Sequence, residues 1–342
     1  MTTVRDIARE AGVSPMTVSN VVNGRHSKVS PATVDRVREV MDRLGYVPSA
    51  PARALSAKNS KLVALVYGGE DVRRLPLSNP HDSVIVGEVE RHVSMSGRYL
   101  MIHAAEDIVT TAANLRTWHV DGAIFLGTVA DEVDELRERY DVPMVFIDNY
   151  SSSPAVSNIG IDDFRGGYLA AQHLIAQGHE RLCFVGPQIR VGGVVHQRYA
   201  GWAQALDDAG LPVRPEQVIA CHPDFDEGRD LAVRLAATDD RPTGIFATAD
   251  ILAIGLLHGF RISGVDVPAD VSIVGFDDLP ESARSNPPLT TIRQDVPAKA
   301  RAAVEALVGL MEDPDGAEAR RVTLGVELVA RDTVGPPPAP TR

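Results

Sequence analysis

The sequence predicts an α/β chain: a small all-helical head at the N-terminus, then a body of two lobes built on parallel sheets. Three observations predict it. Three short amphipathic stretches, each with its own start and stop signals, fill residues 3–45. Beyond residue 61, near-continuous Val/Ile/Leu runs alternate with amphipathic helical stretches, the pattern of parallel sheets covered on both faces. The charge is also split. Residues 1–61 hold ten Lys/Arg against five Asp/Glu, or +5, whereas the 342-residue chain is −12, so the remainder carries −17. A basic head on an acidic body is the asymmetry expected of a nucleic-acid binder, and the length calls for two or three units.

In the head, Thr3 caps a first helix with Ile7, Ala8 and Ala11 facing inward, and Gly12 ends it. Ser14 then caps a second helix, Pro15 suits its first position, and Val18, Val21 and Val22 form its apolar stripe. Met16, Thr17 and Asn20 lie on another side, which is short and uncharged and can approach a second surface closely. Ser30 and Pro31 open a third helix with Val34, Val37, Val40, Met41 and Leu44 as its stripe and Gly45 as its stop. Two helices joined by a short Gly-containing turn, with a third closing the core, are the grammar of the helix-turn-helix, whose second helix enters the major groove. Caps alone are equally compatible with a bundle that only dimerises; the charge of the head argues against that.

These residues carry a family resemblance. V-R-D-I-A-R-E-A-G-V-S-P-M-T-V-S-N-V-V-N-G, V-S-P-A-T-V-D-R-V and L-G-Y-V-P-S-A-P-A-R-A-L, dense and ordered over residues 3–58, resemble the bacterial lactose/galactose repressor family. The resemblance implies that side chains at Pro15, Met16 and Asn20 reach base edges. Asn20 has the groups to pair with adenine and Met16 the surface to touch a thymine methyl, while Pro15 acts by shape. Thr17, Ser19 and Asn23, with backbone N–H groups, are the candidates for phosphate contacts, which position rather than specify, and Ser14, the cap, is counted with the DNA-binding residues; a solvated helix face is an equal reading for Ser19.

Residues 48–60 form a linker whose Pro, Ala and Ser content fits a flexible tether or a short conditional helix. The resemblance implies a hinge helix that forms on DNA, with Leu55 wedged into the minor groove and Arg53 near the groove floor or a phosphate. In the body, strand-like runs occur at 62–67, 99–104, 122–127, 144–149, 182–186, 218–221, 244–248 and 271–276. They suggest two similar lobes with a break near Asn158–Asp162. D-G-A-I-F-L, H-L-I-A-Q-G-H, V-S-I-V-G-F-D-D and P-P-L-T-T-I-R-Q-D continue the resemblance and imply the fold of periplasmic sugar-binding proteins. That fold places a ligand between lobes, lobe one at about 61–160 and 296–321, lobe two at about 161–295 and 322–335. The stretch 68–80 is long for a first loop and reads as a lid or a surface insertion, and 336–342, with its prolines, as a disordered tail.

Ligands of open α/β sheets bind at the carboxyl ends of strands, where Asp148 and Asp277 fall; loop capping is the competing role for each. The resemblance places ligand contacts at Asp148, Arg198 and Asp277, with Phe225 near a stacking aromatic position. Asp250 reads as a helix N-cap. Gly160, where an aromatic can occur, suggests a roomy cleft, and Ala249 replaces an Asn donor. Cys183 and Cys221 are too few for a disulfide framework and read as buried thiols. Neither a phosphate loop, an H-E-x-x-H motif nor a nucleophile elbow is found in the sequence, so we expect neither enzyme activity, cofactor nor metal. No apolar run is long enough to span a membrane and no signal pattern opens the chain, so we expect a cytoplasmic protein. The expected function is a ligand-responsive transcriptional regulator, a repressor, binding a pseudo-palindromic double-stranded operator as a homodimer, with a sugar-like effector in the cleft. The alternative is a sugar-binding protein of a transport system.

Overall fold

The structure is a computed structural model and describes residues 2–47, 60–68, 77–105, 107–314 and 316–339. The chain divides into two compact units, a small one that holds the head and a large one that holds both lobes.

The head is three helices on one small core. Helix α1 (Val4–Ala11) opens with a capping box: the Thr3 side chain accepts from the Asp6 N–H, and the Asp6 carboxylate accepts from the Thr3 N–H at 3.0 Å. Gly12 ends it in a left-handed conformation (φ 63°), which costs glycine nothing. Helix α2 (Pro15–Val22) and helix α3 (Pro31–Arg43) start alike, with Ser14 accepting from Thr17 N–H and Ser30 from Thr33 N–H. Ile7, Ala8, Ala11, Val18, Val21, Val34, Val37 and Val40 form the buried core.

The body holds two six-stranded sheets. The first lobe orders its strands β11-β5-β4-β3-β1-β2. In chain order these are β1 (Leu62–Gly68), β2 (Tyr99–Ala105), β3 (Gly122–Leu126), β4 (Met144–Ile147), β5 (Ser157–Ile161) and β11 (Arg321–Leu324). Between them run α4 (Pro80–Met95), α5 (Ile108–Trp118) and α6 (Ala130–Arg139). The second lobe orders its strands β12-β10-β9-β8-β6-β7: β6 (Leu182–Gly186), β7 (Val218–Ala220), β8 (Gly244–Ala247), β9 (Ser272–Asp277), β10 (Thr290–Gln294) and β12 (Val326–Val329). Its helices are α7 (Asp163–Ala176), α8 (Val194–Asp208), α9 (Phe225–Ala236) and α10 (Asp250–Ile262), and α11 (Val296–Glu312) returns to the first lobe. Strands β3 and β6 are buried along their whole length, which is why they read as unbroken apolar runs.

The chain passes between lobes three times, at Asp162, Asp295 and Gly325. The first crossing, at Asp162, lies inside the stretch 158–162 expected as the break, directly after strand β5, which pairs with β4 and β11. Two expectations change here. The return to the second lobe falls at Gly325, not at residue 322, because Val322–Leu324 pair with Ile159–Ile161 in the first sheet. The second sheet is not wholly parallel: β12 runs antiparallel to β10, with Gln294 opposite Val326. Strand β10 ends at a crossing and β12 begins at one, so the two must run in opposite senses. Within the second lobe the end of the chain is fixed as far as Gly335, whose N–H donates to Ser272 Oγ (3.1 Å) and whose carbonyl accepts from His179 Nε2 (2.9 Å). The linker segment 48–59, with Arg53 and Leu55, the loop segment 69–76 and residues 340–342 of the expected tail lie outside the described residues.

Candidate DNA-reading face and effector cleft

On α2 the side chains proposed to meet DNA separate by what they already do. Ser14 Oγ accepts from Thr17 N–H at 3.1 Å and lies 2.9 Å from Thr17 Oγ1. The Asn23 amide donates to Ser19 carbonyl oxygen (2.8 Å) and to Ser19 Oγ (3.2 Å), closing the end of the helix. Met16 is 69 % exposed and Pro15 is exposed beside it, while Asn20 is half-exposed. Met16 and Asn20 stand four residues apart, on one helix face. That face is an apolar tip beside an amide, the two chemistries that read a thymine methyl and an adenine edge.

In the body, the carboxyl ends of the strands of both lobes open on one cavity of about 540 Å³. Its wall includes Gly68 after β1, Gly127 and Thr128 after β3, and Asp148 after β4. From the other lobe come Pro187 after β6, His222 after β7, Thr248 and Ala249 after β8, and Asp277 at the end of β9. Asp148 and Asp277 both have positive φ (56° and 120°), a backbone state that non-glycine residues hold at a cost and that gathers at functional sites.

The two carboxylates are joined. Lys299, fully buried on α11, donates to Asp148 Oδ2 at 2.6 Å and to Gln294 Oε1 at 2.7 Å. Gln294 Nε2 in turn donates to Asp277 Oδ1 at 2.7 Å. Asp148 Oδ1 is buried with no hydrogen-bond partner. Gly160 leaves it room, for a Cβ there would stand 3.3 Å from that oxygen. The small residue at 160 therefore accommodates Asp148, and Gly160 is not part of the cavity wall.

Arg198 reaches the wall from α8. Its Nε donates to Asp163 Oδ1 (2.7 Å) and its Nη1 to the Thr248 carbonyl oxygen (2.6 Å), while the guanidinium lies 3.5 Å over the Phe276 ring. Gly167 on α7 makes this possible, because a Cβ there would come within 1.9 Å of the Arg198 carbonyl oxygen. Burial pushes the Asp163 carboxyl up, and the Arg198 charge opposes that. Tyr150 donates to the other Asp163 oxygen; burial and that carboxylate raise its phenol, so it stays a neutral donor.

His81, in the first turn of α4, pairs through Nδ1 with Asp82 Oδ1 at 3.2 Å. Burial opposes its charged form, but the field of Asp277 and the bond with Asp82 outweigh burial and the repulsion of Lys299, and the net direction is up. His81 Nε2, His222 Nδ1 and Thr248 Oγ1 are buried without partners. With Asp148 Oδ1, four such atoms belong to residues of this one cavity. Unpaired buried polar atoms are costly in a folded protein, and these four gather at residues of one cavity. At the rim, Arg190 of the second lobe meets Glu132 of the first at 2.9 Å.

Asp148, Arg198 and Asp277 thus share one wall. Phe225 does not join them: it opens α9 with its ring 5.5 Å from that of His258 on α10, and its predecessor Asp224 faces the cavity instead. Asp250 is not an N-cap either. Ala249 holds that position, and the buried Asp250 accepts from Thr291 Oγ1 (2.5 Å), Ser282 Oγ (2.6 Å) and Leu279 N–H (2.9 Å), tying down the loop after β9.

Asn79, His81 and Asp82 escape the sequence reading, which takes the stretch before α4 as a lid or an insertion. The N-P-H-D start of that helix is the available signal, since Asn79 caps it through His81 N–H. Thr248 and His222 follow strands β8 and β7, and the rule that singles out Asp148 reaches them too. Nothing in A-K-A-R-A-A marks Lys299 as buried. Cys183 and Cys221 are free and buried, and burial pushes their thiols up to about 12 and about 11. Among the described residues no helix is long and apolar enough to cross a membrane.

Comparison with known proteins assigns both parts. Residues 3–49 match the model for bacterial regulatory proteins of the lacI family, and residues 171–334 match the periplasmic binding protein-like domain. The chain is 32 % identical over 341 residues to the HTH-type transcriptional repressor PurR of Photobacterium profundum, covering 98 % of this chain and 99 % of that protein. The solved structure of the lac repressor dimer bound to operator and the anti-inducer ONPF superposes with a TM-score of 0.83 at 28 % identity, over 98 % of this chain and 99 % of that one. The complex of the transcriptional regulator CelR with cellobiose gives 0.71 at 27 % identity, over 97 % and 100 %. The head, the two-lobed body and the likeness over nearly the whole length lead to one assignment: this chain belongs to the lacI family of bacterial DNA-binding transcriptional regulators.

Proposed function

We propose that this regulator is a repressor that binds a pseudo-palindromic operator as a homodimer, and that a neutral, sugar-like molecule in the cleft changes its affinity for DNA. The observation that carries the cleft reading is the set of four unpartnered polar atoms, drawn from both lobes, around one cavity. A polyhydroxylated ligand supplies both donors and acceptors to such a set. Charge narrows the class. Arg198 and Arg190 are each committed to a carboxylate, Asp163 and Glu132, while Asp82, Asp224 and Asp277 also line the wall. The acidic excess disfavours phosphorylated or carboxylated ligands. Cellobiose and ONPF in the similar structures are ligands of the kind that fits.

The control is linkage: a ligand that prefers one arrangement of the lobes shifts DNA affinity by the same factor by which DNA shifts its own. We assign Pro15, Met16 and Asn20 to base edges, Ser14, Thr17, Ser19 and Asn23 to phosphates, and Arg53 and Leu55 to the minor groove. Asp148, Arg198 and Asp277 are assigned to the effector. The protein acts in the cytoplasm, where its DNA is, and carries out no reaction.

A thermal-melting screen tests the cleft. At a hundredfold excess over its Kd, a ligand stabilises the protein by about 2.7 kcal/mol. Neutral sugars and polyols should include a stabiliser that Asp277→Asn abolishes, and their phosphates should not. A response to phosphates alone refutes the charge argument. Gel-shift titration on DNA selected by the protein, with and without that stabiliser, then tests the linkage; an unchanged DNA affinity rejects it.

A further inference from the structure

Lys299 has no role in the contacts assigned so far, and it does not line the cavity. It is an ammonium group taken wholly out of water on α11, the helix by which the chain re-enters the first lobe. A buried cation is expensive unless paired and hydrogen-bonded. Here one partner is Asp148 of the first lobe and the other is Gln294, the last residue of β10 in the second. Gln294 then passes its amide on to Asp277. Because the Lys299 ammonium has no acceptor, it fixes the Gln294 oxygen toward itself, which turns the Gln294 NH2 toward Asp277. One side chain therefore sets a residue on each side of the crossing at Asp295.

We infer that Lys299 is the positioning residue of the effector cleft, holding Asp148 directly and Asp277 through Gln294 so that a ligand meets two preset acceptors, one from each lobe. This rests on the reading of the cleft as the effector site. Lys299 engages Oδ2 of Asp148, whose Oδ1 is buried without a partner beside Gly160. It engages Oδ1 of Asp277 through Gln294 and leaves Oδ2. The ligand that fits has O–H or N–H hydrogens on two opposite sides, which a pyranose or furanose ring presents and a ligand with donors along one edge does not. The backbone agrees: both aspartates are held at positive φ, a strained state that persists only when neighbours over-determine it.

The test is a set of crystal structures of the full chain without added ligand: wild type, Lys299→Met and Gln294→Met. In Lys299→Met both carboxylates should leave their wild-type positions by more than about 0.5 Å, the tolerance of a preset site. In Gln294→Met only Asp277 should move, with Lys299 still on Asp148. A purely structural lysine would lower the melting temperature and leave both carboxylates in place, and that result overturns the inference. So does an unmoved Asp277 in Gln294→Met, a variant that keeps the buried ion pair and decides the matter if Lys299→Met does not fold. Failure of the effector reading shows elsewhere, in a ligand screen with no response, while the carboxylates still move.

Discussion

Asn20 and Asn23 carry the same amide on the same helix and differ in what it is used for. Asn23 gives its NH2 to Ser19, so its removal also loosens the helix end. Asn20 stands on the face with Met16, and Asn20→Ala should weaken operator binding by about 1–3 kcal/mol, the worth of a bidentate adenine contact. A gel-shift series on operator and scrambled DNA checks this: the loss should fall on the operator and spare the scrambled sequence. His179 makes a second prediction. Burial lowers its pKa against the help of the Gly335 carbonyl. The unfolded chain therefore binds the extra proton first, and stability is lost as pH falls below the ordinary value of 6.5. His179→Gln should flatten that part of the melting-temperature profile; an equally steep profile in the variant would remove His179 as its cause.

At the scale of elements, glycines and caps decide where helices can lie. Helices α7 and α8 pack backbone to backbone because Gly167 and Gly201 leave no Cβ between them. Gly167→Ala would place a methyl 1.9 Å from the Arg198 carbonyl oxygen, so α8 must move and carry Arg198 off Asp163. The measurable outcome is a lower melting temperature together with loss of any ligand-induced shift. Asp250 fixes the loop between β9 and β10 from the first turn of α10. Its carboxyl is pushed from 3.8 up to about 8, first by burial and then by the field of Asp277, against its three hydrogen bonds. The sign is that of a raised acid: the folded chain holds the proton longer, so this stabilisation is full below 3.8 and lost as pH rises through about 8. Melting curves of wild type and Asp250→Asn should differ in slope across that window, and parallel curves would refute the assignment.

At the scale of the whole molecule, the charge split becomes a mechanism. Residues 1–61 carry +5 and the remainder −17, so DNA phosphate attracts the first charge and repels the second. The logarithm of DNA affinity should fall linearly with the logarithm of salt concentration, with a slope of about 0.9 per phosphate contacted. Deleting residues 1–60 should abolish DNA binding and leave the ligand-induced melting shift intact. The three passes of the chain at Asp162, Asp295 and Gly325 make the lobes interdependent, so a ligand between them can influence the body as a whole.

The sequence by itself determined the head and the class of the body. Caps, Pro at the first helical position and apolar spacing are local signals, and Thr3, Ser14 and Ser30 act as caps in the structure. Unbroken apolar runs likewise mark strands such as β3 and β6 because both faces of those strands are covered. The strand-end rule also pointed to Asp148 and Asp277 and the family resemblance to Arg198, and all three line the cavity, although Arg198 sits in the second turn of α8 and does not open it. Tertiary structure alone decided what depends on partners remote in the chain. Strands β5, β11 and β12 are short, and only their pairing across the crossings defines them. Phe225 turned to His258 and Asp250 to the loop after β9 because neighbours from other helices and strands claimed them. Lys299 reads in sequence as one more helix-surface lysine. Its burial follows from Asp148, 151 residues earlier, reaching the same point in space, and no local pattern encodes that distance.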